Sequence, residues 1–157
     1  MSARTVTEEP LENRPVSRLV FQVAGQLLLY DQRTAMEYFE SQTLFRIPTR
    51  HPVFRGLINR RGSLVPVFDV GSLLGAEPSL SSRARVLVLG TGDDAVGVIL
   101  DSTPYRTSIA EEQKAPAPVQ LFQVFGRHIG ECFEIESGCV ADVDLGGFLE
   151  DLSHETN

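Results

Sequence analysis

The chain has 157 residues with 14 basic and 21 acidic side chains, so its net charge of -7 repels a phosphate backbone and excludes nucleic acid as the expected partner. One domain is expected at this length, and 42% apolar residues supply a core without disulfide or metal staples. The charge is uneven: residues 1–110 hold 12 basic and 11 acidic groups, net +1, whereas residues 111–157 hold 2 and 10, net -8.

Residues 1–17 contain almost nothing large and apolar, which predicts a flexible N-terminal tail ahead of a domain over 18–152, with a short C-terminal tail at 153–157. From Leu19 the apolar residues take over, and Gly25 separates two short strand-like runs that end near Ala24 and Tyr30. Further strand-like runs lie at 64–70, 85–89, 95–101, 119–125 and 131–136. Turn residues at 90–94 and 126–130 read as hairpin loops between them. Pro66 has no N–H for a central ladder, so its strand is expected at an edge or bulged there. Gly97 lies in a strand where a side chain is normally wanted, and it is read as part of a partner surface. Helical pattern is confined to one turn at 71–75 closed by glycine and to a short terminal helix over 146–152. Many short strands with frequent turns predict an all-β barrel or sandwich.

Side chains capable of chemistry are sparse. His51, His128 and His154 are scattered, and Cys132 and Cys139 fit neither a zinc spacing nor a disulfide framework, so no metal and no cofactor is expected. Cys132 lies four residues after His128, but no third orienting group accompanies them, so packing is the expected role of that thiol. Arg46, Arg50, Arg55, Arg60 and Arg61 form the densest run of one charged type, and arginine suits desolvated interfaces because its planar fork pairs bidentately. Recognition is therefore expected rather than reaction. The competing reading is a small β-barrel that binds or hydrolyses a small ligand, with Glu37 beside Asp69 or Asp101 as a carboxylate pair. No apolar run approaches the ~18 residues needed to span a bilayer, and the N-terminal segment lacks the apolar stretch of a signal peptide. A cytoplasmic protein without membrane insertion is expected.

Residues 52–70, reading PVFRGLINRRGSLVPVFDV, closely resemble the signature of CheW-like domains through Gly56, Asn59, Arg61, Gly62, Pro66 and Asp69. Phe21 to Gly25, Leu73 to Gly75 and Val96 to Asp101 lie at similar spacing on either side. The resemblance implies two small five-stranded SH3-like barrels around a shared core, with a short C-terminal helix and no catalytic activity. It implies an adaptor between two partners: the regulatory domain of a CheA-type histidine kinase and the cytoplasmic tip of a methyl-accepting chemoreceptor, the latter in a groove between the barrels. The residues expected to face partners are Glu37, Leu57, Asn59, Arg61, Gly62, Val65, Val67 and Gly97, with Leu57, Val65 and Val67 as exposed aliphatics on the kinase side. Leu27 to Leu29 and Arg60 resemble the PilI-type branch, which serves type IV pilus systems.

Overall fold

A computed structural model describes residues 14–30, 33–78 and 81–155, with side chains described as far as Leu152. Eleven strands form two curled sheets among the described residues. The first contains β1 (Val16–Val23), β2 (Gln26–Leu29), β8 (Tyr105–Ile109), β9 (Lys114–Ala115), β10 (Ile129–Ile135) and β11 (Gly138–Val143), in the order β8-β1-β2-β11-β10-β9. The second contains β3 (Met36–Thr43), β4 (Phe54–Arg60), β5 (Ser63–Phe68), β6 (Arg83–Leu89) and β7 (Val96–Leu100), in the order β3-β6-β7-β5-β4. The second sheet is one uninterrupted stretch of chain. The first is built from both ends of the chain and encloses that stretch in sequence.

Inner strands of both sheets bury residues on both faces, which explains sequence runs that do not alternate cleanly. Within β2, Leu27 and Leu29 point into the first sheet's own interior with Val20, Ile109, Phe133 and Val140, while Leu28 points the other way. Within β6, Val86 and Val88 enter the second sheet's interior with Ile58, Val65 and Val67, and Leu87 and Leu89 turn away from it. The residues turned away meet in one core between the sheets, where Phe21, Leu28, Phe68, Leu87 and Leu100 pack with Leu121, Phe125 and Phe148. The expected pair of barrels around a shared core is therefore present as two curled sheets, the first gaining a sixth strand in the two-residue β9.

Element types and bounds depart from the sequence expectation at four places. Residues 119–125 form a helix, α1 (Val119–Phe125), because Pro118 starts it and Leu121 and Phe125, four residues apart, are its buried side chains. Residues 126–128 are consequently a single 3-10 turn between α1 and β10, and 129–130 already belong to β10, so no hairpin loop forms there. The C-terminal helix α2 (Leu145–Glu155) begins one residue earlier and runs through most of the predicted tail. Val16 and Ser17 already pair with β8, while residues 1–13 of the predicted N-terminal tail lie outside the described residues.

Pro66 is not on an edge strand, since β5 lies between β7 and β4. Leu57 faces Pro66, and the Leu57 N–H bonds Phe45 instead, so Pro66 sits at a pair that needs no hydrogen bond. Its missing N–H faces β7, where pairing starts only at Val67. Gly97 is buried between Val67 and Val88, and a Cβ there would come within 2.8 Å of Val86 Cγ1. The residue is small because its neighbours need the space, and it offers nothing to a partner surface.

Candidate partner-binding surface

The signature residues meet in the β4–β5 hairpin. Arg60 pairs with Ser63, leaving Arg61 and Gly62 as a two-residue turn with φ of 51° and 88°. Positive φ at both positions is the geometry whose twist suits a hairpin, and glycine takes it without strain. Asn59 fixes the turn by accepting the Gly62 N–H on Oδ1 at 2.8 Å. Gly56 is needed lower down: at φ 149° a side chain would collide with the Phe45 carbonyl, which receives the Leu57 N–H.

Arg61 is the exception in this turn, a long side chain held at positive φ. Its guanidinium forms a bidentate pair with Glu37 on β3, at 3.1 Å to Oε1 and 2.5 Å to Oε2. The arginine is 75% exposed and the carboxylate 31%, so the pair lies at the surface across the open side of the second sheet. The fork sets direction more than it sets stability, because an exposed ion pair contributes only about 0.2–1 kcal/mol.

The other arginines of the run do not join it. Arg55 turns inward, donating to the Pro52 carbonyl at 3.1 Å with its Nε 3.6 Å from buried Asp69. Arg46 donates to the Ser81 carbonyl. The three carboxylates of the competing ligand reading have separate partners as well: Glu37 has Arg61, Asp69 has Arg55, and Asp101 accepts the N–H groups of Ala24 and Gly25. They form no catalytic pair.

The exposed aliphatics are displaced by one residue from the sequence expectation. Val65 and Val67 are 1% and 0% exposed, in the interior of the second sheet, whereas Leu64 is 63% exposed. Alternation along β5 makes this unavoidable: Leu64 and Pro66 share the outer face with Asn59 and Leu57, their cross-strand neighbours. Phe45, bridged to Leu57, extends that face and is 54% exposed, with Ile47 exposed two residues further on. Sequence reading missed Phe45, Ile47 and Leu64. Pairing the strands outward from the two-residue turn sets Leu64 opposite Asn59 and Val65 opposite Ile58, which chooses Leu64 over Val65 for the outer face.

Elsewhere the titratable groups serve structure. Cys132 is buried and its thiol is pushed up to about 11, chiefly by desolvation, so it is no thiolate nucleophile. His128 lies 2.7 Å from Asp151 on α2, and hydrogen bonds from Arg127 first and His128 second hold the Asp151 carboxyl below its usual range. Among the described residues no cluster of three or more His, Cys, Asp and Glu could hold a metal, and no helix is long and apolar enough to cross a membrane.

Two sheets sharing a core, one of them carrying an ion-paired turn beside an exposed apolar face, define a recognition scaffold. The CheW-like domain model matches residues 17–143, and the chain belongs to that family, whose members are non-enzymatic scaffolds. Among similar proteins, a chemotaxis protein CheW of Thermotoga maritima is 22% identical over 135 residues, covering 86% of this chain and 88% of that protein. A chemotaxis protein CheW of Bacillus subtilis is 24% identical over 141 residues, covering 88% and 89%. The crystal structure of the scaffolding protein TtCheW of Thermoanaerobacter tengcongensis shares the fold, with a TM-score of 0.67 at 21% identity over 87% of this chain and 93% of that one.

Proposed function

We propose that this protein is a cytoplasmic adaptor that couples a methyl-accepting chemoreceptor to a CheA-type histidine kinase in a chemotaxis system. The observation that carries the reading is the β4–β5 hairpin, where an apolar face of exposed Phe45 and Leu64 around half-buried Leu57 lies beside the Arg61–Glu37 fork. An apolar centre with a charged rim is the anatomy of a protein interface. The kinase regulatory domain is assigned to that face, with Asn59 and Gly62 shaping the turn at its end. The receptor tip is assigned to the cleft between the sheets, while the Glu37–Arg61 pair, on the open side of the second sheet, is assigned to orienting the partners. A pilus-based system has the weaker support, because Leu27, Leu28 and Leu29 are buried in β2 and answer to core packing.

Reconstitution tests the reading. The protein is added to a purified CheA-type kinase and receptor-containing membranes, and receptor-dependent autophosphorylation is expected to rise with its concentration. Kinase affinity is expected to change little from low to moderate salt, because an apolar centre is not screened, while receptor affinity falls more. A protein that leaves autophosphorylation unchanged and binds neither partner refutes the assignment.

A further inference from the structure

After β7 the chain returns from the second sheet to the first through residues 101–104, and this short crossing is fastened on both sides. Asp101 accepts two consecutive N–H groups from the β1–β2 turn, Ala24 to Oδ1 at 2.9 Å and Gly25 to Oδ2 at 2.7 Å. Its own N–H donates to the Gln22 carbonyl at 2.9 Å. Arg85 on β6 donates to the Asp101 carbonyl at 3.2 Å, and the Thr103 hydroxyl reaches Glu40 on β3 at 2.9 Å. Gln22, Ala24 and Gly25 belong to the first sheet's hairpin, while Arg85 and Glu40 belong to the second sheet.

The Asp101 carboxylate is the least replaceable part of this fastening. Positive φ at both Ala24 and Gly25 aims their N–H groups at one point, a small anion nest, and the carboxylate occupies it with both oxygens. Charge-assisted bonds of this kind are roughly twice as strong as neutral ones, and two in parallel fix orientation as well as distance. Beside it opens a cleft of about 350 Å³ between the sheets, lined by Ala24, Asp69, Arg83 and Asp101 among others.

We propose that Asp101 is a positioning residue, pinning the β1–β2 hairpin to the end of β7 and thereby holding the inter-sheet cleft at the opening a receptor tip requires. The inference rests on the adaptor reading, because only a protein with one partner on a sheet and another between the sheets needs that relation fixed. Without the pin each face survives, but the geometry linking them becomes a population of openings, and a signal that depends on one opening is diluted.

The experiment compares the full-length wild type with Asp101→Asn by hydrogen exchange and in the reconstituted receptor–kinase assembly. Asparagine offers one acceptor oxygen, so one of the two turn amides loses its bond. At least one of the Ala24 and Gly25 amides is expected to exchange about tenfold faster while the Leu57 and Val67 amides are unchanged. Kinase affinity is expected to stay within about twofold and receptor-dependent activation to fall by about fivefold or more, since the kinase face is not touched. Asp101→Glu, which keeps the charge on a longer arm, is expected to recover part of both losses, and it decides the matter by the same readouts if the asparagine variant does not fold. Unchanged exchange at Ala24 and Gly25 overturns the pin. Faster exchange with full activation overturns the positioning role, as does a parallel loss of kinase binding and activation, which is plain damage to the fold. A wild-type protein that never binds the kinase refutes the adaptor reading instead and leaves the exchange result to stand alone.

Discussion

The turns at Ala24–Gly25 and Arg61–Gly62 are the same local structure put to opposite uses. Each joins two antiparallel strands with two residues, and each places a non-glycine residue at nearly the same positive φ, 50° and 51°. In the first turn the backbone is used: both N–H groups go to Asp101, from the far end of the neighbouring sheet. In the second the side chain is used: Asn59 takes over the Gly62 N–H, and Arg61 is left to reach Glu37. A strained residue therefore says little by itself. What distinguishes a structural turn from a recognition turn is whether the distant carboxylate meets the main chain or the side chain.

The largest expected effect comes from the stalk of the second hairpin. Gly56→Ala places a Cβ against the Phe45 carbonyl at a φ that L residues rarely adopt, and both the bridge to Leu57 and the strand must shift. A loss of about 2–4 kcal/mol in denaturant unfolding is expected, with the Arg61–Glu37 fork lost along with the hairpin. Wild-type stability would show that the bridge yields without cost and that the turn does not depend on its stalk. Gly97→Val comes next, because it overpacks the second sheet against Val86 and Val67. It is expected to cost about 1–3 kcal/mol. Loss of kinase binding by a variant of unchanged stability would return Gly97 to the partner surface.

The sequence reading reached the turns but not what they touch. The Asn59 to Gly62 bend was visible because turn chemistry is local, and the signature residues Gly56, Pro66 and Asp69 each have a local or near-local reason in the structure. The one-residue error from Leu64 to Val65 has a different origin: β5 is apolar on both sides, so hydrophobicity alone could not say which side was outside. Helix α1 reads as a strand in the sequence because Val119, Leu121, Phe122, Val124 and Phe125 fit either period, and packing of Leu121 and Phe125 on the shared core selects the helix. In the sequence Asp101 reads as a possible half of a carboxylate pair, but its carboxylate's partners are two backbone N–H groups that carry no sequence signal.

A pair of glycine substitutions sharpens the comparison between the turns. Ala24→Gly and Arg61→Gly relieve the same positive φ, and each is expected to change stability by no more than about 1 kcal/mol, because relief of strain and added freedom of the unfolded chain oppose each other. Their effects on coupling should nevertheless separate. The Ala24 variant keeps both N–H groups on Asp101 and is expected to activate the kinase normally, whereas the Arg61 variant loses its fork. Equal coupling by the two variants would mean that the turns do the same work after all.

The smallest effect on stability belongs to the contact with the clearest role. Arg61→Ala removes an exposed side chain from a turn whose backbone is held by Asn59, so unfolding free energy is expected to move by about 0.5 kcal/mol or less. Glu37→Arg should do little more, since water screens the two like charges it creates. Receptor-dependent kinase activation is nevertheless expected to fall in both variants, because a bidentate fork fixes where the charges point and a partner that reads that arrangement loses it with either half. The double exchange, Glu37→Arg with Arg61→Glu, rebuilds the pair with its ends reversed. If the pair only orders the surface, activation recovers. If a partner touches the guanidinium itself, the exchanged protein stays inactive although its fork is whole. Thermal unfolding and an activation assay on these three variants separate the outcomes, and a variant that loses activation only in proportion to lost stability would make Arg61 a structural residue like Ala24.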